Sequence, residues 1–391
     1  MVNGQTFQPL TQEVGEVADR CLDLAARIWA RPETGMTEHY ACAEQVSLLR
    51  ELGFAVETPF AGQQTGYCAS YGSGDVTFVF MAEYDSLPGL GHGCGHNLIC
   101  TAAIAAGYAA AVKLKREGRP GRVLVMGTPG EESYGGKVLM MREGCLKGVD
   151  AAMMVHPSWH SIPDAGCLGI RRFIVSFKGK AAHAGTAPEL GLNALDAAVM
   201  LYNAVGVWRQ QLPESSRVHG VIKEGGVVPN VIPDHTCSHW FLRAEKERTL
   251  DAMEKRFRDM VKGAALMTGT RPLIRPWMTP DQGRTPNQVL NQAYWEAALA
   301  AGLKMELPAT PGRGSSDFGN VSQAIPAIHG YFAISEGRIP GHSQVFAEAS
   351  ASELGRANML KAAAAMAAVG YGYLVSQPFR DAVRTEFENN K

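Results

Sequence analysis

Short apolar runs alternate with helical segments through the first 160 residues of the chain. The runs Val76–Ala82, Arg122–Gly127 and Ala151–Val155 have the length of buried strands, and Asn97–Lys115 and Gly136–Glu143 separate them as helices. Buried strands that alternate with helices are typical of a largely parallel sheet covered by helices. The sequence therefore predicts an α/β domain.

The pattern changes at Arg171, where strands and helices follow one another in the order β-α-β-β-α-β. That order is the ferredoxin-like unit, and it predicts an inserted α+β domain over residues 171–280. The α/β pattern resumes at residue 281 and ends in a long Ala-rich helix over about residues 348–375. We therefore expect one α/β domain, residues 1–170 with 281–391, interrupted by a second domain.

Charge and cysteine usage narrow the class of protein. The formal net charge is −1, so no global field would attract nucleic acid or an anionic membrane. The eight cysteines lack the density of a disulfide framework, and the N-terminus shows no basic segment followed by an apolar run. The apolar stretch from Thr101 to Val112 is too short to span a membrane. We expect a reduced, cytoplasmic protein with neither nucleic acid nor membrane as a partner.

Chemically versatile side chains follow three of the predicted strands. Asp85 comes soon after the first strand, Glu131 and Glu132 after the second, and His156 directly after the third. Because ligands of open α/β sheets bind outside the carboxyl ends of the strands, we expect these loops to converge in one crevice.

The loop after Asp85 contains Cys94 and His96, and thiolate, imidazole and carboxylate are the usual ligands of zinc and related metals. Gly95 permits the tight backbone that lets both neighbours reach one centre. Adjacent glutamates diverge, so one would bind metal while the other takes a proton from water. Each group alone has an ordinary explanation: a buried thiol, a solvated helix start or a strand-end histidine. Their joint position at three strand ends favours a metal site.

Several other residues receive weaker interpretations from the sequence. His183, Asn230 and Arg243 could each be an ordinary loop or surface residue of the inserted domain. Three further histidines, His92, His160 and His329, are not expected to be ligands. The glycine-rich stretch 312–319 lacks the Gly-Lys-Ser/Thr ending of a phosphate loop and is expected to form a wall of the substrate pocket.

The motifs together resemble those of the metal-dependent aminoacylase and carboxypeptidase G-like amidohydrolases, a metallopeptidase family. The Asn after Cys-Gly-His resembles the sub-branch of p-aminobenzoyl-glutamate hydrolase and β-alanyl-lysine dipeptidase. The segments that carry the resemblance are Glu83-Tyr-Asp-Ser-Leu-Pro-Gly, Gly91-His-Gly-Cys-Gly-His-Asn-Leu, Pro129-Gly-Glu-Glu, Gly179-Lys-Ala-Ala-His-Ala, Gly225-Gly-Val-Val-Pro-Asn-Val-Ile-Pro and Gly341-His-Ser.

The resemblance implies a site with one or two divalent metal ions, zinc or manganese first and cobalt or nickel as alternatives. Glu131 matches the general base of the family, which acts on metal-activated water. The residues that match metal ligands are Cys94, His96, Glu132, His156 and His342.

In the inserted domain, the resemblance implies a lid that also forms a homodimer. His183 matches the residue that steadies the developing oxyanion in the partner's site, and Asn230 and Arg243 match residues that contact substrate, Arg243 at its carboxylate. The implied substrate is a small amide with a carboxylate: an N-acyl amino acid, an aminobenzoyl-glutamate-like compound or a dipeptide. Most auxin-conjugate-type members of the family have Asp where this chain has Asn97, so the surroundings of His96 are expected to differ.

Two alternatives stay open at the level of the sequence. Cys94 could be the nucleophile of a thiol hydrolase, with a histidine as its base. The chain could also be a catalytically inactive protein that binds peptides or amino acids. The adjacent glutamates Glu131 and Glu132 argue against the second alternative, since a binding protein does not need a base.

Overall fold

A computed structural model describes residues 6–307 and 314–390 of the chain. Contacts divide it into two compact units, one built from the two ends of the chain and the other from Cys167–Gly283. The sequence places the corresponding boundaries at 170/171 and 280/281. Each unit has its own hydrophobic core, and no residue is shared between these cores.

Strands and helices are numbered here in chain order, within the described residues. The strands are β1 (Ala55–Glu57), β2 (Tyr67–Tyr71), β3 (Thr77–Ala82), β4 (Arg122–Gly127), β5 (Ala151–Ser158), β6 (Gly169–Lys178), β7 (Arg217–Glu224), β8 (His235–Ala244), β9 (Arg271–Pro276) and β10 (Ala327–Ala333). The α-helices are α1 (Thr11–Gly15), α2 (Ala18–Ala30), α3 (His39–Glu51), α4 (His96–Arg116), α5 (Glu131–Tyr134), α6 (Gly136–Arg142), α7 (Ala194–Trp208), α8 (Glu247–Thr268), α9 (Gln288–Ala300), α10 (Phe318–Ala324), α11 (Gln344–Ala349), α12 (Glu353–Val375) and α13 (Gln377–Asn389).

The first unit contains a six-stranded sheet in the order β1-β2-β4-β3-β5-β10. The four strands β4, β3, β5 and β10 are parallel, whereas β1 and β2 form an antiparallel edge. Every residue of β3 is buried, as expected for a strand covered by helices on both faces. The mostly parallel α/β sheet predicted from the sequence is confirmed.

Ala-rich helices pack closely against this sheet. In α4, a Cβ on Gly107 would lie 2.3 Å from Cγ2 of Val125, so glycine allows the helix to approach β4. Helix α4 is long and apolar enough to span a membrane, but 83% of its apolar stretch is buried inside the protein. It therefore has the surroundings of a helix in a protein core.

Two details of the first unit differ from the sequence-based prediction. The helix expected over residues 348–375 is two helices, α11 and α12, because Ser352 breaks the run and caps α12 by accepting a hydrogen bond from the Gly355 N–H. His156, expected directly after a strand, lies inside β5, since pairing with β10 continues to Ser158.

The second unit is a four-stranded antiparallel sheet in the order β7-β8-β6-β9, with helices α7 and α8. Its element order, β-α-β-β-α-β, is the one that the sequence predicts. Alternate residues of β8 are buried, and Trp240 packs against Phe257 of α8 with ring centroids 5.5 Å apart. The inserted α+β ferredoxin-like domain is therefore confirmed as a fold.

Candidate metal centre

The parallel strands place chemically versatile side chains at the same edge of the sheet. Asp85 lies three residues beyond the end of β3, and the Glu131–Glu132 pair begins α5 after β4. His156 lies near the carboxyl end of β5, the neighbour of β3. The convergence expected from strand order is therefore present in the first unit.

A left-handed glycine joins the cysteine loop to helix α4. Gly95 has φ +71° and precedes His96, the first residue of the helix. A Cβ at this glycine would lie 2.6 Å from Cγ of Pro157 in β5. The tight turn therefore needs glycine both for its backbone conformation and for its contact with β5.

The candidate ligand atoms form overlapping groups. Within each group the ligand atoms lie within 4.8 Å of one another. One group is Cys94, His96 and His156, and a second is Cys94, Glu132 and His342. A third joins His96 and Glu132 to Glu131. All six sequence-predicted residues of the catalytic domain thus lie together.

Two histidines are oriented by hydrogen bonds at Nδ1. His96 Nδ1 lies 2.9 Å from Oδ1 of Asp85, and His156 Nδ1 lies 2.7 Å from the Pro157 carbonyl oxygen. Because both acceptors take the proton of Nδ1, each Nε2 keeps a lone pair for a metal. Asp85 also accepts a hydrogen bond from the Glu132 N–H at 3.0 Å, so one carboxylate positions two candidate ligands.

His342 reaches the same group from a strained loop. Its φ is +54°, an uncommon conformation for a residue other than glycine, and its Nε2 lies 3.7 Å from Oε2 of Glu132. The His342 N–H donates to the carbonyl oxygen of Gly93 at 3.1 Å, which ties this loop to the cysteine loop. Strain that persists at such a position is typical of a functional site.

The electrostatics of this group favour a bound cation. Burial and the charges of Glu83, Glu132 and Asp317 raise the pKa of Glu131 well above its usual range. Burial raises the pKa of the Cys94 thiol, which would have to be ionised to bind metal. A divalent cation held here would offset both effects by favouring the negative forms.

One buried atom supports the same conclusion. Oε1 of Glu132 is buried and has no hydrogen-bond partner among the described residues. A buried carboxylate oxygen without a partner is costly, and metal coordination would satisfy it. The donor set of thiol, imidazole and carboxylate therefore fits a zinc-like divalent ion.

The structure adds three residues that sequence reasoning did not identify as functional. They form a buried cluster in which Lys137 is ion-paired with Glu83 and Asp317. Glu131 lies beside it, with carboxylate oxygens of Glu83, Glu131 and Asp317 within 4.8 Å of one another. The sequence feature that could have indicated this cluster is Lys137, a charged residue at the start of an otherwise apolar helix segment. Asp317 belongs to the glycine-rich stretch 312–319, of which residues 312 and 313 lie outside the described part.

Two of the predicted residues of the inserted domain lie on adjacent loops. The Ala184 N–H donates to the Asn230 carbonyl oxygen at 2.9 Å, and His183 pairs with Val231. Arg243 is near the other end of β8, which begins at His235. At about 3.3 Å per residue, eight residues of strand separate Arg243 from that end by roughly 26 Å. The unit therefore brings His183 and Asn230 together and keeps Arg243 apart.

The histidines not expected to be ligands fall outside the ligand groups found in the described part of the chain. His92 Nε2 lies 3.2 Å from the Ile28 carbonyl oxygen. His329 is buried and stacks on His156 with ring centroids 5.5 Å apart, so it packs against a candidate ligand. The ring of His160 lies 3.8 Å from that of Trp159, centroid to centroid.

Known proteins share this arrangement of sequence and fold. Residues 79–365 match Peptidase family M20/M25/M40. An Xaa-Arg dipeptidase of Mus musculus is 34% identical over 96% of this chain and 91% of its own. A p-aminobenzoyl-glutamate hydrolase component of Escherichia coli (strain K12) is 34% identical over 71% of this chain and 62% of its own.

A solved structure shows the same fold. It is a dinuclear metal-binding peptidase of the M20 family from Bacillus subtilis, with a TM-score of 0.68 and 20% identity, over 90% of this chain and 98% of the other. The family match and the two relatives do not favour a thiol hydrolase or an inactive binding protein. The chain belongs to Peptidase family M20/M25/M40 and is a metal-dependent amide hydrolase.

Proposed function

We propose that this protein is a dipeptidase that cleaves a small amide substrate at a centre built from Cys94, His96, Glu132, His156 and His342. The observation that carries the proposal is the overlap of the ligand groups, in which sequence-distant donors share a space with Glu131. The preferred substrate is a dipeptide with a basic C-terminal residue, because the Xaa-Arg dipeptidase matches nearly the whole chain. One or two divalent ions, zinc or manganese, suit this donor set.

Glu131 is the general base in this proposal. When bound, a divalent ion would polarise the amide carbonyl and acidify water, whose pKa of about 15.7 falls toward 7 at a good zinc site. The Glu131 carboxylate accepts the proton of the attacking water and then donates it to the amine nitrogen as the C–N bond breaks. Its position beside His96 and Glu132 keeps it within reach of the same space.

His183 is the proposed oxyanion donor. Its Nδ1 accepts hydrogen bonds from the Gly185 and Thr186 N–H groups, both at 3.2 Å. Because Nδ1 is an acceptor, the proton of the neutral ring lies on Nε2, which is left to donate to a substrate oxygen. Such a donor stabilises the negative charge that develops during amide hydrolysis.

We propose that the protein works as a homodimer through its inserted domain. A dipeptide is much shorter than the roughly 26 Å of strand between Arg243 and the His183 end of the sheet. One centre would therefore use Arg243, as the clamp on the substrate carboxylate, together with His183 and Asn230 from the second protomer. The α7 surface (Val199, Met200, Tyr202 and Val207) exposes apolar side chains suited to a protein interface.

The proposed compartment is the cytoplasm. All eight cysteines of the chain are free thiols in the described residues. Free thiols are maintained in a reducing compartment, and a Cys94 that binds metal has to stay unoxidised.

A substrate panel tests the proposed function. We expect manganese- or zinc-reconstituted enzyme to hydrolyse dipeptides ending in Arg or Lys faster than p-aminobenzoyl-glutamate or N-acetyl amino acids. The E. coli relative makes p-aminobenzoyl-glutamate the second candidate substrate. Faster turnover of p-aminobenzoyl-glutamate would replace the dipeptide assignment, and no turnover of any amide by metal-loaded protein would refute the function.

A further inference from the structure

A lysine ammonium is buried beside the candidate metal centre. The Lys137 side chain is 1% exposed, and its Nζ donates to Oε1 of Glu83 at 2.5 Å and to Oδ1 of Asp317 at 2.7 Å. The Lys137 backbone N–H also donates to Oδ2 of Asp317 at 2.8 Å. A charge taken out of water is stable only when it is paired in this way, so the cluster is built around the ammonium.

The carboxylates around this ammonium are close enough to hold a metal ion themselves. Carboxylate oxygens of Glu83, Glu131 and Asp317 lie within 4.8 Å of one another. The same distance limit holds for the ligand atoms within each group of the neighbouring metal centre. Glu83 also faces the metal centre, with its Oε2 3.6 Å from Nε2 of His96. Two acidic clusters therefore meet at Glu131, and a cation is already present in one of them.

We propose that Lys137 is a built-in cation that closes the Glu83–Glu131–Asp317 cluster to metal ions and confines metal binding to the Cys94–His96–Glu132 side. The ammonium takes the position that a further divalent ion would need, and it satisfies one oxygen each of Glu83 and Asp317. Lys137 is thus a positioning residue, because it acts through the carboxylates and not on substrate. The inference rests on the proposed function only in taking the cysteine-containing groups as the metal centre.

Burial alone opposes a charge on Lys137, but the charges of Asp317, Glu83 and Glu131 raise its pKa above the usual value. The ammonium therefore keeps its charge at neutral pH. A divalent ion, in contrast, is lost when its concentration falls. The cluster around Lys137 is expected to stay assembled when metal is removed from the neighbouring centre.

Counting bound metal ions tests this inference without measuring activity. Lys137→Met keeps the length of the side chain and removes its charge, leaving the buried carboxylates of Glu83 and Asp317 without their cation. We expect this variant to bind one more Mn²⁺ per chain than the parent in equilibrium dialysis with elemental analysis. Its melting temperature should keep rising at Mn²⁺ concentrations that saturate the parent. Lys147→Met, at an exposed lysine of the same unit, is the matched control and should bind the parental number.

Each outcome separates this inference from the proposed function. A parent that binds no Mn²⁺ would refute the proposed metal centre, whereas a parental count in soluble Lys137→Met would refute only the role of Lys137. If Lys137→Met does not fold, Lys137→Met combined with Asp317→Asn removes one charge of each sign. That double variant should fold and bind the parental number of ions. Failure of both variants to fold would show that the Lys137 ammonium is required for folding itself and would overturn the inference.

Discussion

Asp85 shows how one buried side chain can organise several others. Its two oxygens accept hydrogen bonds from His96 Nδ1 and from the Glu132 N–H. Asp85→Asn replaces one carboxylate oxygen with an NH₂ group. This donor would face the N–H of either His96 or Glu132, so one of the two hydrogen bonds is lost. We expect Mn²⁺ affinity to fall about 10- to 100-fold, as for other residues that orient metal ligands. Calorimetric titration of the metal-free protein with Mn²⁺ measures this affinity.

Asp150→Asn is the control for that experiment. Asp150 accepts from the Thr77 N–H at 2.8 Å at the start of β3, far along the strand from the metal centre. Its loss should affect stability and leave Mn²⁺ affinity unchanged. Equal affinity in Asp85→Asn and the parent would contradict the positioning role of Asp85.

Glu38 makes stability depend on pH. Burial, and then the charge of Asp85, raise the pKa of Glu38 from 4.5 to about 7. The folded protein binds this proton more tightly than the unfolded chain, so stability is fully present below pH 4.5 and falls as the pH rises through 7. Glu38→Gln removes this dependence, which is on the order of 3 kcal/mol.

Denaturant unfolding of metal-free protein at pH 5 and pH 8 measures this effect. We expect the free energy of unfolding to fall less in Glu38→Gln than in the parent between these two pH values. Glu38 also accepts hydrogen bonds from the Gly130 N–H and from the Thr65 hydroxyl, so the variant loses stability at pH 5. Parallel pH profiles of the two proteins would show that Glu38 does not titrate as stated.

Residue by residue, the sequence identified the candidate metal ligands but not the charged cluster beside them. Cys94, His96 and His156 could be found because parallel strands end at one edge, which is a general rule of α/β sheets. Splitting Glu131 from Glu132 and adding His342 needed the family resemblance. The Lys137–Asp317 pair joins residues 180 positions apart, and no local pattern specifies which buried charges meet.

At the scale of elements, the join between the cysteine loop and α4 depends on Gly95. A Cβ there would be strained by φ +71° and would lie 2.6 Å from Pro157. Gly118 has φ +58° and nothing within 4 Å, so its substitution carries the backbone cost alone. We expect Gly95→Ala to lose about 1–3 kcal/mol more stability than Gly118→Ala, as overpacking does.

Thermal unfolding and metal titration measure both consequences. Gly95→Ala should also weaken Mn²⁺ binding, because it displaces Cys94 and His96, whereas Gly118→Ala should not. Identical metal affinity and stability in the two variants would mean that the loop does not depend on the glycine.

The bounds of a strand were predicted best where its sequence pattern is strongest. The strand β4 was predicted at its observed bounds, because its interior residues are apolar and its first and last residues are Arg122 and Gly127. The strands β1 and β2 were not predicted, since β1 has three residues and β2 mixes Tyr, Ser and Cys. Such short strands are specified by their partners in the sheet and only weakly by their own sequence.

At the scale of the whole molecule, the separate hydrophobic cores of the two units explain how one domain can be inserted into another. The ends of the insertion adjoin Gly166 and Arg284, and the Arg284 side chain pairs with the buried Asp164 at 2.8 Å. The candidate metal ligands all belong to the first unit, and the proposed lid residues belong to the second. The sequence could predict both folds from element order, but not the oligomeric state.

The α7 surface provides a test of the proposed dimer. Val207 is 71% exposed, and Val207→Asp places a charge within the proposed interface. We expect this variant to be monomeric in light scattering, to bind the parental amount of Mn²⁺ and to lose most of its turnover. Leu299→Asp, at a 46% exposed leucine of the first unit, is the control and should stay dimeric. A monomeric but active parent would contradict the dimer.

The central claim is that Glu131 is the base of a metal-dependent hydrolase, and Glu131→Gln tests it most directly. The measurement is turnover of an Xaa-Arg dipeptide by protein whose metal content has been determined. We predict that Glu131→Gln keeps the parental metal content and loses about 10²- to 10⁴-fold in kcat, as expected for a lost general base. Parental turnover in metal-loaded Glu131→Gln would contradict the account.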